Sequence, residues 1–253
     1  DFLPGKKIRI KIGLDGNNNQ AFEGIIVKHA VKISANGNTL LQVECFDAAI
    51  RMTVGRHSRY YSQITDSRLF DEIIGQYPGL SNDSESTSLT HKELVQHHLS
   101  DWDFILLRAE ANGMLVRVED AKIIIGKPKT SVKPVLQLNY GSSIIEFEAE
   151  MDARNQWKNV KASSWDFSNQ ELMKAETSEA QNFIQVGNLQ GSEIANAMNL
   201  SQYEMRHSGS LPEQELQDWA DGIMIRSRLS KVRGRAKFTG FGGIKPGDMV
   251  KLE

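Results

Sequence analysis

The chain has 253 residues, enough for one large core or two smaller ones. Its hydrophobic content of 40% and charged content of 25% are those of an ordinary globular protein, and no apolar run approaches the roughly 20 residues of a membrane-spanning helix. A net charge of -2 gives no electrostatic case for nucleic acid or an acidic membrane surface, and the single cysteine, Cys45, excludes an intrachain disulfide framework.

Residues 1–60 read as an antiparallel meander. Ile8, Ile10 and Ile12 alternate with Arg9 and Lys11, the pattern of a half-buried strand. Gly13 to Asn19 is a turn cluster, Phe22 to Ile33 a second strand, Ala35 to Asn38 another turn, and Leu40 to Phe46 a third strand. Cys45 lies in that third run and reads as a small buried hydrophobe. Thr65 to Ile74 has a helical period, with Leu69, Phe70, Ile73 and Ile74 on one face, and Pro78-Gly79 stops it. The Ser/Thr-rich residues 80–90 read as loop, and Leu94 and Val95 as a short strand.

Ser100 to Gly113 is a helix with both ends written into it. Ser100 is a good N-cap, Asp103 stands where a capping box wants an acid, and Gly113 is the expected stop. At about 100° per residue, Trp102, Ile105, Leu106 and Ala109 form one apolar stripe. Phe104, Leu107 and Ala111 form another. Asp103 with Glu110, and Arg108 with Asn112, read as polar seams between them. A helix apolar on two sides is held between layers, so this one is expected to be a structural wedge.

Leu115 to Val118 and Lys122 to Ile125 make a hairpin, and Pro128 to Pro134 reads as a boundary. Strands follow at Val135–Asn139, Ile144–Met151 and Val160–Phe167, then a short helix at Asn169–Ala175. Residues 177–208 are polar and carry no clear pattern. Ser210-Leu-Pro-Glu213 predicts a helix start with Ser210 as N-cap. Leu216, Trp219, Ala220 and Ile223 supply the apolar face of that helix, and its acids precede its bases as the macrodipole prefers. Arg233–Thr239 and Met249–Leu252 are the last strands. One internal echo stands out: Leu3-Pro-Gly before the first strand and Lys245-Pro-Gly before the last, the mark of two related β-domains.

Catalytic constellations are hard to find. His91, Glu93, His97, His98 and Asp101 are rich in ligand-type groups, but match no standard metal spacing, and adjacent His97 and His98 point to opposite faces of a strand. Asp101 and Asp103 are better read as first-turn acids than as an acid/base pair. Gly13-Leu-Asp-Gly16 and Gly240-Phe-Gly-Gly243 lack the features of a phosphate loop. Trp102, Trp157, Trp165 and Trp219 sit in amphipathic surroundings that favour packing over sugar stacking. No catalytic, cofactor-binding or metal-binding residue is assigned, and no cofactor is expected. The residues singled out are those of the wedge helix: Ser100, Asp101, Trp102, Asp103, Phe104, Ile105, Leu107, Arg108 and Gly113.

Several segments resemble, in order, the spike-hub family of contractile injection systems, which includes VgrG proteins and phage baseplate hubs. These are Pro4-Gly5 with Phe22-Glu-Gly-Ile-Ile26, Ser58-Arg-Tyr-Tyr61, Val95-Gln96, Ser100-Asp-Trp-Asp-Phe104 with Arg108-Ala-Glu110 and Gly113-Met-Leu115, Gly234 to Gly240, and Lys245-Pro-Gly247. The resemblance covers most of the chain and is thin across 150–210.

The resemblance implies a mainly β, α+β fold: two antiparallel β-barrel-like domains, residues 1–65 and 129–253, around an α/β insertion at 66–128. It implies a non-enzymatic homotrimeric hub joining a hexameric tube protein to a C-terminal spike domain and tip protein, with baseplate proteins and effectors as further partners and no nucleic acid. A baseplate hub of a contractile phage is the alternative. A metal-dependent hydrolase using His91, His97, His98 and Asp101 is the alternative from a different class. Assembly is expected in the cytoplasm, followed by export or delivery with the particle. The chain opens at Asp1 without an initiator methionine or signal peptide and stops at Glu253 inside a strand-like run, so both ends read as cut from a longer protein.

Overall fold

The computed structural model describes residues 2–13, 18–179, 188–199, 201–238 and 243–253. The Gly13–Gly16 motif beyond Gly13, the Gly240–Gly243 motif before Gly243, and Thr239 lie outside the described residues. Part of the unassigned 177–208 stretch does too. The chain divides into two compact units, residues 1–106 with 116–125, and residues 107–115 with 126–253. The fold is mainly β with few helices.

In the first unit, β1 (Lys7–Ile12), β2 (Asn19–Ile33) and β3 (Thr39–Phe46) form an antiparallel sheet in the order β1-β2-β3. Alternation sorts its faces: Ile8 and Ile10 stand opposite Gly24 and Phe22, while Arg9 pairs with Glu23 at 2.6 Å on the other face. A 3₁₀ turn, Ala48–Thr53, is capped by Asp47, whose Oδ1 accepts the Ala49 N–H at 2.9 Å, and it buries Met52 completely.

Next, β4 (His57–Thr65) and β6 (Thr90–Leu99) pair antiparallel. Between them runs α1 (Asp66–Ile74), capped by Thr65, with Leu69, Phe70, Ile73 and Ile74 all buried. The stretch read as loop contains a strand. β5 (Ser81–Ser84) pairs in parallel with β8 (Lys122–Gly126), which forms a hairpin with β7 (Leu115–Glu119). Backbone pairing alone makes β5, because Ser81-Asn-Asp-Ser84 has no apolar period to announce it.

The second unit centres on β11 (Asn159–Asp166), flanked by antiparallel β12 (Glu171–Thr177) and parallel β13 (Gln202–His207). The short helix expected at 169–175 is therefore a strand. Asp166 accepts the Ser168 N–H at 2.9 Å and the Asn169 side chain at 2.8 Å, and Gln170 takes a φ of 53°, which closes a hairpin and sends β12 back along β11. β9 (Leu136–Leu138) pairs in parallel with β15 (Val250–Leu252), and β10 (Ile144–Met151) pairs antiparallel with β14 (Val232–Phe238). Among the described residues no sheet closes into a barrel; each has two or three strands, and three of the strand pairs are parallel.

The helices of this unit are the second half of α2 (Asp101–Ala111), α3 (Gly191–Ala197) and α4 (Glu213–Leu229). α4 begins three residues after Ser210, with Pro212 as N-cap and no side-chain cap. Ser210 does not cap the helix because the residue after it, Leu211, is tied to β11. Leu211 donates its N–H to Ser164 Oγ at 3.1 Å and accepts that hydroxyl's proton at 3.2 Å. Leu216, Ala220 and Met224 of α4 pack on Val160, Ala162, Ala175 and Met205 of the sheet. Among the described residues no helix is long and apolar enough to cross a membrane.

Where α4 passes the end of α2, two glycines meet. A Cβ on Gly222 stands 2.8 Å from Gly113 Cα, closer than real side chains tolerate against backbone. Gly222→Ala is expected to cost about 1–3 kcal/mol through overpacking, read as a lower denaturant midpoint at unchanged m-value. An unchanged midpoint shows that the helices separate freely here.

Candidate functional site

The most elaborate polar arrangement is built around Asp101, at the first residue of α2. Its carboxylate has no exposed surface. A buried carboxylate needs donors, and three segments supply them. Arg59 Nη1, on β4, donates to Oδ1 at 2.8 Å. Gln96 Nε2, on β6, donates to the same oxygen at 2.8 Å. The Tyr77 hydroxyl, just after α1, donates to Oδ2 at 2.7 Å. Gln96 also donates to the Leu99 carbonyl at 3.1 Å, so one amide ties the end of β6 to the start of α2.

The titration behaviour follows. Burial pushes the Asp101 carboxyl up, but the bonds from Gln96, Tyr77 and Arg59 outweigh it and hold it below its ordinary value. The Tyr77 hydroxyl is pushed up to about 12, first by burial, then by its bond to Asp101 and that residue's charge.

Around this knot the helix start is fixed by its own cap. Ser100 Oγ accepts the Asp103 N–H at 3.0 Å and donates to Asp103 Oδ2 at 2.7 Å. Phe104 is buried and stacks on Tyr61 with ring centroids 6.1 Å apart. Ile105 is buried completely.

The two-stripe reading needs correction. Trp102 is only half-buried, and Leu107 is 53% exposed. α2 has one buried face, made by Asp101, Phe104, Ile105 and Ala109, with the Arg108 side chain only 14% exposed beside them. The polar seam of Arg108 and Asn112 therefore lies within the buried face. Arg108 pays for its burial with an ion pair to Glu215 at 2.9 Å, and the Arg108 carbonyl accepts the Asn112 side chain at 2.8 Å. At the far end Gly113 takes a φ of 65°. Its N–H donates to the Glu110 carbonyl at 3.0 Å, and the Met114 N–H donates to the Ala109 carbonyl at 2.8 Å. This pair of bonds is a Schellman motif.

The metal alternative finds no geometry. His91 is buried against Asp66, Nε2 to Oδ2 2.9 Å, whereas His97 and His98 are exposed and the oxygens of Asp101 face Arg59, Gln96 and Tyr77. Among the described residues no group of three or more His, Cys, Asp or Glu side chains is placed to hold a metal ion. Of the tryptophans, Trp165 is exposed, while Trp102, Trp157 and Trp219 are partly buried.

Sequence reasoning did not assign roles to Arg59, Tyr77 and Gln96. The signal was present in the resemblance: Ser58-Arg-Tyr-Tyr61, Val95-Gln96 and Ser100-Asp-Trp-Asp-Phe104 are distant in sequence, and the structure brings Arg59, Tyr61, Gln96, Asp101 and Phe104 into one knot.

The fold is that of phage tail proteins. It matches the 43 kDa tail protein of prophage MuSo2 from Shewanella oneidensis with a TM-score of 0.67 and 10% identity, covering 99% of this chain and 75% of that one. A tail protein of Neisseria meningitidis MC58 matches with a TM-score of 0.68 and 14% identity, over 94% of this chain and 71% of that one. Prophage tail protein gp18 of Listeria monocytogenes EGD-e matches with a TM-score of 0.53 and 12% identity, over 97% and 74%. The chain belongs to the Alg8 N-terminal domain family, whose sequence model matches residues 1–253. Comparison with curated proteins gave no significant match.

Removing the Asp101 charge leaves Arg59 without its carboxylate. Asp101→Asn is expected to cost about 3 kcal/mol, the low end for a broken buried pair because Arg59 is partly exposed. The depressed carboxyl stabilises the fold above the ordinary carboxylate range, and that contribution is lost as pH falls through the range and below it. Tyr77 adds an alkaline limb. Its contribution is complete below about 10, the ordinary tyrosine value, and is lost as pH rises towards 12. Denaturation midpoints against pH should show a flatter acid limb for Asp101→Asn; identical limbs remove Asp101 from the account. Phe104→Ala should cost about 3–5 kcal/mol, and the half-buried Trp102→Ala less. The reverse order makes Trp102 the stronger anchor of the helix.

Proposed function

We propose that this chain is a non-enzymatic structural hub of a contractile injection apparatus, acting as a homotrimer that joins a hexameric tube to a membrane-piercing spike. The observation that carries the reading is the tail-protein fold, matched over 94% to 99% of the chain. A prophage tail hub is the second reading, favoured by two matched folds that are prophage tail proteins. In either case the polar knot at Asp101 and the helix from Ser100 to Gly113 serve as scaffold. Assembly in the cytoplasm and delivery with the particle are part of the same proposal.

The uncovered strand faces support an assembling protein. In the first unit Ile33 is 74% exposed, and Val31 and Leu41 beside it are also exposed. In the second, Glu146 pairs with Lys237 at 2.7 Å on one face of the β10–β14 ribbon, while Phe147, 52% exposed, and Met151 lie on the other. Apolar surface of this kind marks protein–protein contact. The Pro-Gly echo also has matching geometry. The Lys6 N–H donates to the Leu3 carbonyl at 3.2 Å with Gly5 at φ 90°, and the Asp248 N–H donates to the Lys245 carbonyl at 3.1 Å with Gly247 at φ 92°. Both are type II turns, in keeping with two related modules.

Native mass spectrometry or sedimentation is expected to give three copies of the 28.4 kDa chain. Ile33→Glu combined with Phe147→Glu should shift that species to monomer without loss of circular dichroism. A wild-type chain that stays monomeric at tens of micromolar overturns the trimer, and a dimer does so equally.

A further inference from the structure

A second surface in the second unit is composed like a recognition site. Trp157, which precedes β11, and Tyr203 of β13 pack with ring centroids 4.9 Å apart at 37°. With Ile223 and Leu229 of α4 they line an open groove of about 510 Å³. Leu229 is 40% exposed and Tyr203 38% exposed, so the apolar walls reach solvent. Tryptophan, tyrosine and arginine are the residues that dominate binding hot spots, and the groove holds all three.

Its charged groups are both guanidinium donors. Arg226 and Arg233 line it together with Asn155. Arg226 donates one N–H to Glu110. Among the described residues, neither the Arg233 guanidinium, the Trp157 ring N–H, the Tyr203 hydroxyl nor the Asn155 side chain makes a hydrogen bond or ion pair. The nearby acids leave the Arg233 fork open: the charge of Asp152 is felt by Arg233 but the two make no direct hydrogen bond or ion pair. Asp152 is held by Arg154 at 2.7 Å, and Glu150, opposite Arg233 in the ribbon, makes no ion pair with it. Sugar platforms pair an aromatic face with acceptors for hydroxyl protons. Here unengaged donors and guanidinium charge call for an acceptor-rich, anionic guest.

We propose that this groove binds an acidic peptide segment of a partner protein, with a carboxylate on Arg233 and an adjacent leucine- or phenylalanine-sized side chain between Tyr203 and Leu229. The proposal rests on this groove alone and not on the trimer or the tail reading.

The probe is a random dodecapeptide display library selected on the intact chain. Enriched peptides are expected to carry Asp or Glu next to Leu or Phe. Their affinity, measured by fluorescence anisotropy of labelled copies, should fall at least tenfold on Arg233→Gln and on Tyr203→Ala. Both positions are exposed, so the variants should fold, as circular dichroism checks. No enrichment, enrichment of peptides without acids, or binding indifferent to both variants overturns the proposal. Saturable binding on a glycan array that Tyr203→Ala abolishes does so too, in favour of a sugar site.

Discussion

A carboxylate with no exposed surface is the constraint from which the first unit can be understood. Asp101 stands at the first turn of α2, where an acid is favoured by the helix dipole but has no need to be buried. Burial makes its charge costly, and only a full set of donors offsets that cost. Those donors come from β4, β6 and the segment after α1. Pairing β4 with β6 places Arg59 opposite Gln96 in the register, so the sheet presents two donors side by side. The knot therefore fixes three segments at once, and it does so directionally. Apolar packing of Leu69, Phe70 and Ile105 supplies the bulk of the burial but leaves the orientation of α2 less determined.

The same helix shows where sequence is readable and where it is not. Its ends were legible, because caps are local: Ser100, Asp103 and Gly113 act within one turn of themselves. Its buried face was not, because hydrophobic periodicity assumes that charge marks the solvent side. Asp101 and Arg108 break that assumption. Each is buried with a partner far away in the chain, Arg59 for one and Glu215 for the other. Reading Arg108 with Asn112 as a polar seam divided one face into two stripes and sent Leu107 inward, although it is exposed. The resemblance carried the missing information without stating it, since its separate motifs meet at Asp101.

Elsewhere the misreadings share a cause. β5 has no apolar pattern, and its pairing with β8 is a long-range fact. Glu171-Leu-Met-Lys-Ala-Glu-Thr177 is made of good helix formers, yet it lies along β11 as a strand and turns Met173 and Ala175 to the core. Tertiary context overrides propensity there. Strands with strict alternation, such as β1 and β10, were placed within a residue or two, because their pattern is intrinsic. The tail-protein fold is thus legible from its regular parts, while the pieces that tie each unit together are the irregular ones.

This division has a functional consequence. Within each unit the decisive contacts are polar or sterically exact: the Asp101 knot, the Arg108–Glu215 pair, and the approach of Gly113 to Gly222. The apolar surface is distributed differently. Much of it stands uncovered on β2, β3, β10 and β14, while charges on the opposite faces pair among themselves, as Arg9 does with Glu23 and Lys237 with Glu146. A strand pair with one self-neutralised face and one bare apolar face is poorly suited to isolation in water and well suited to burial on the apolar side. Directional contacts keep each unit in one shape, and non-directional burial remains available for assembly.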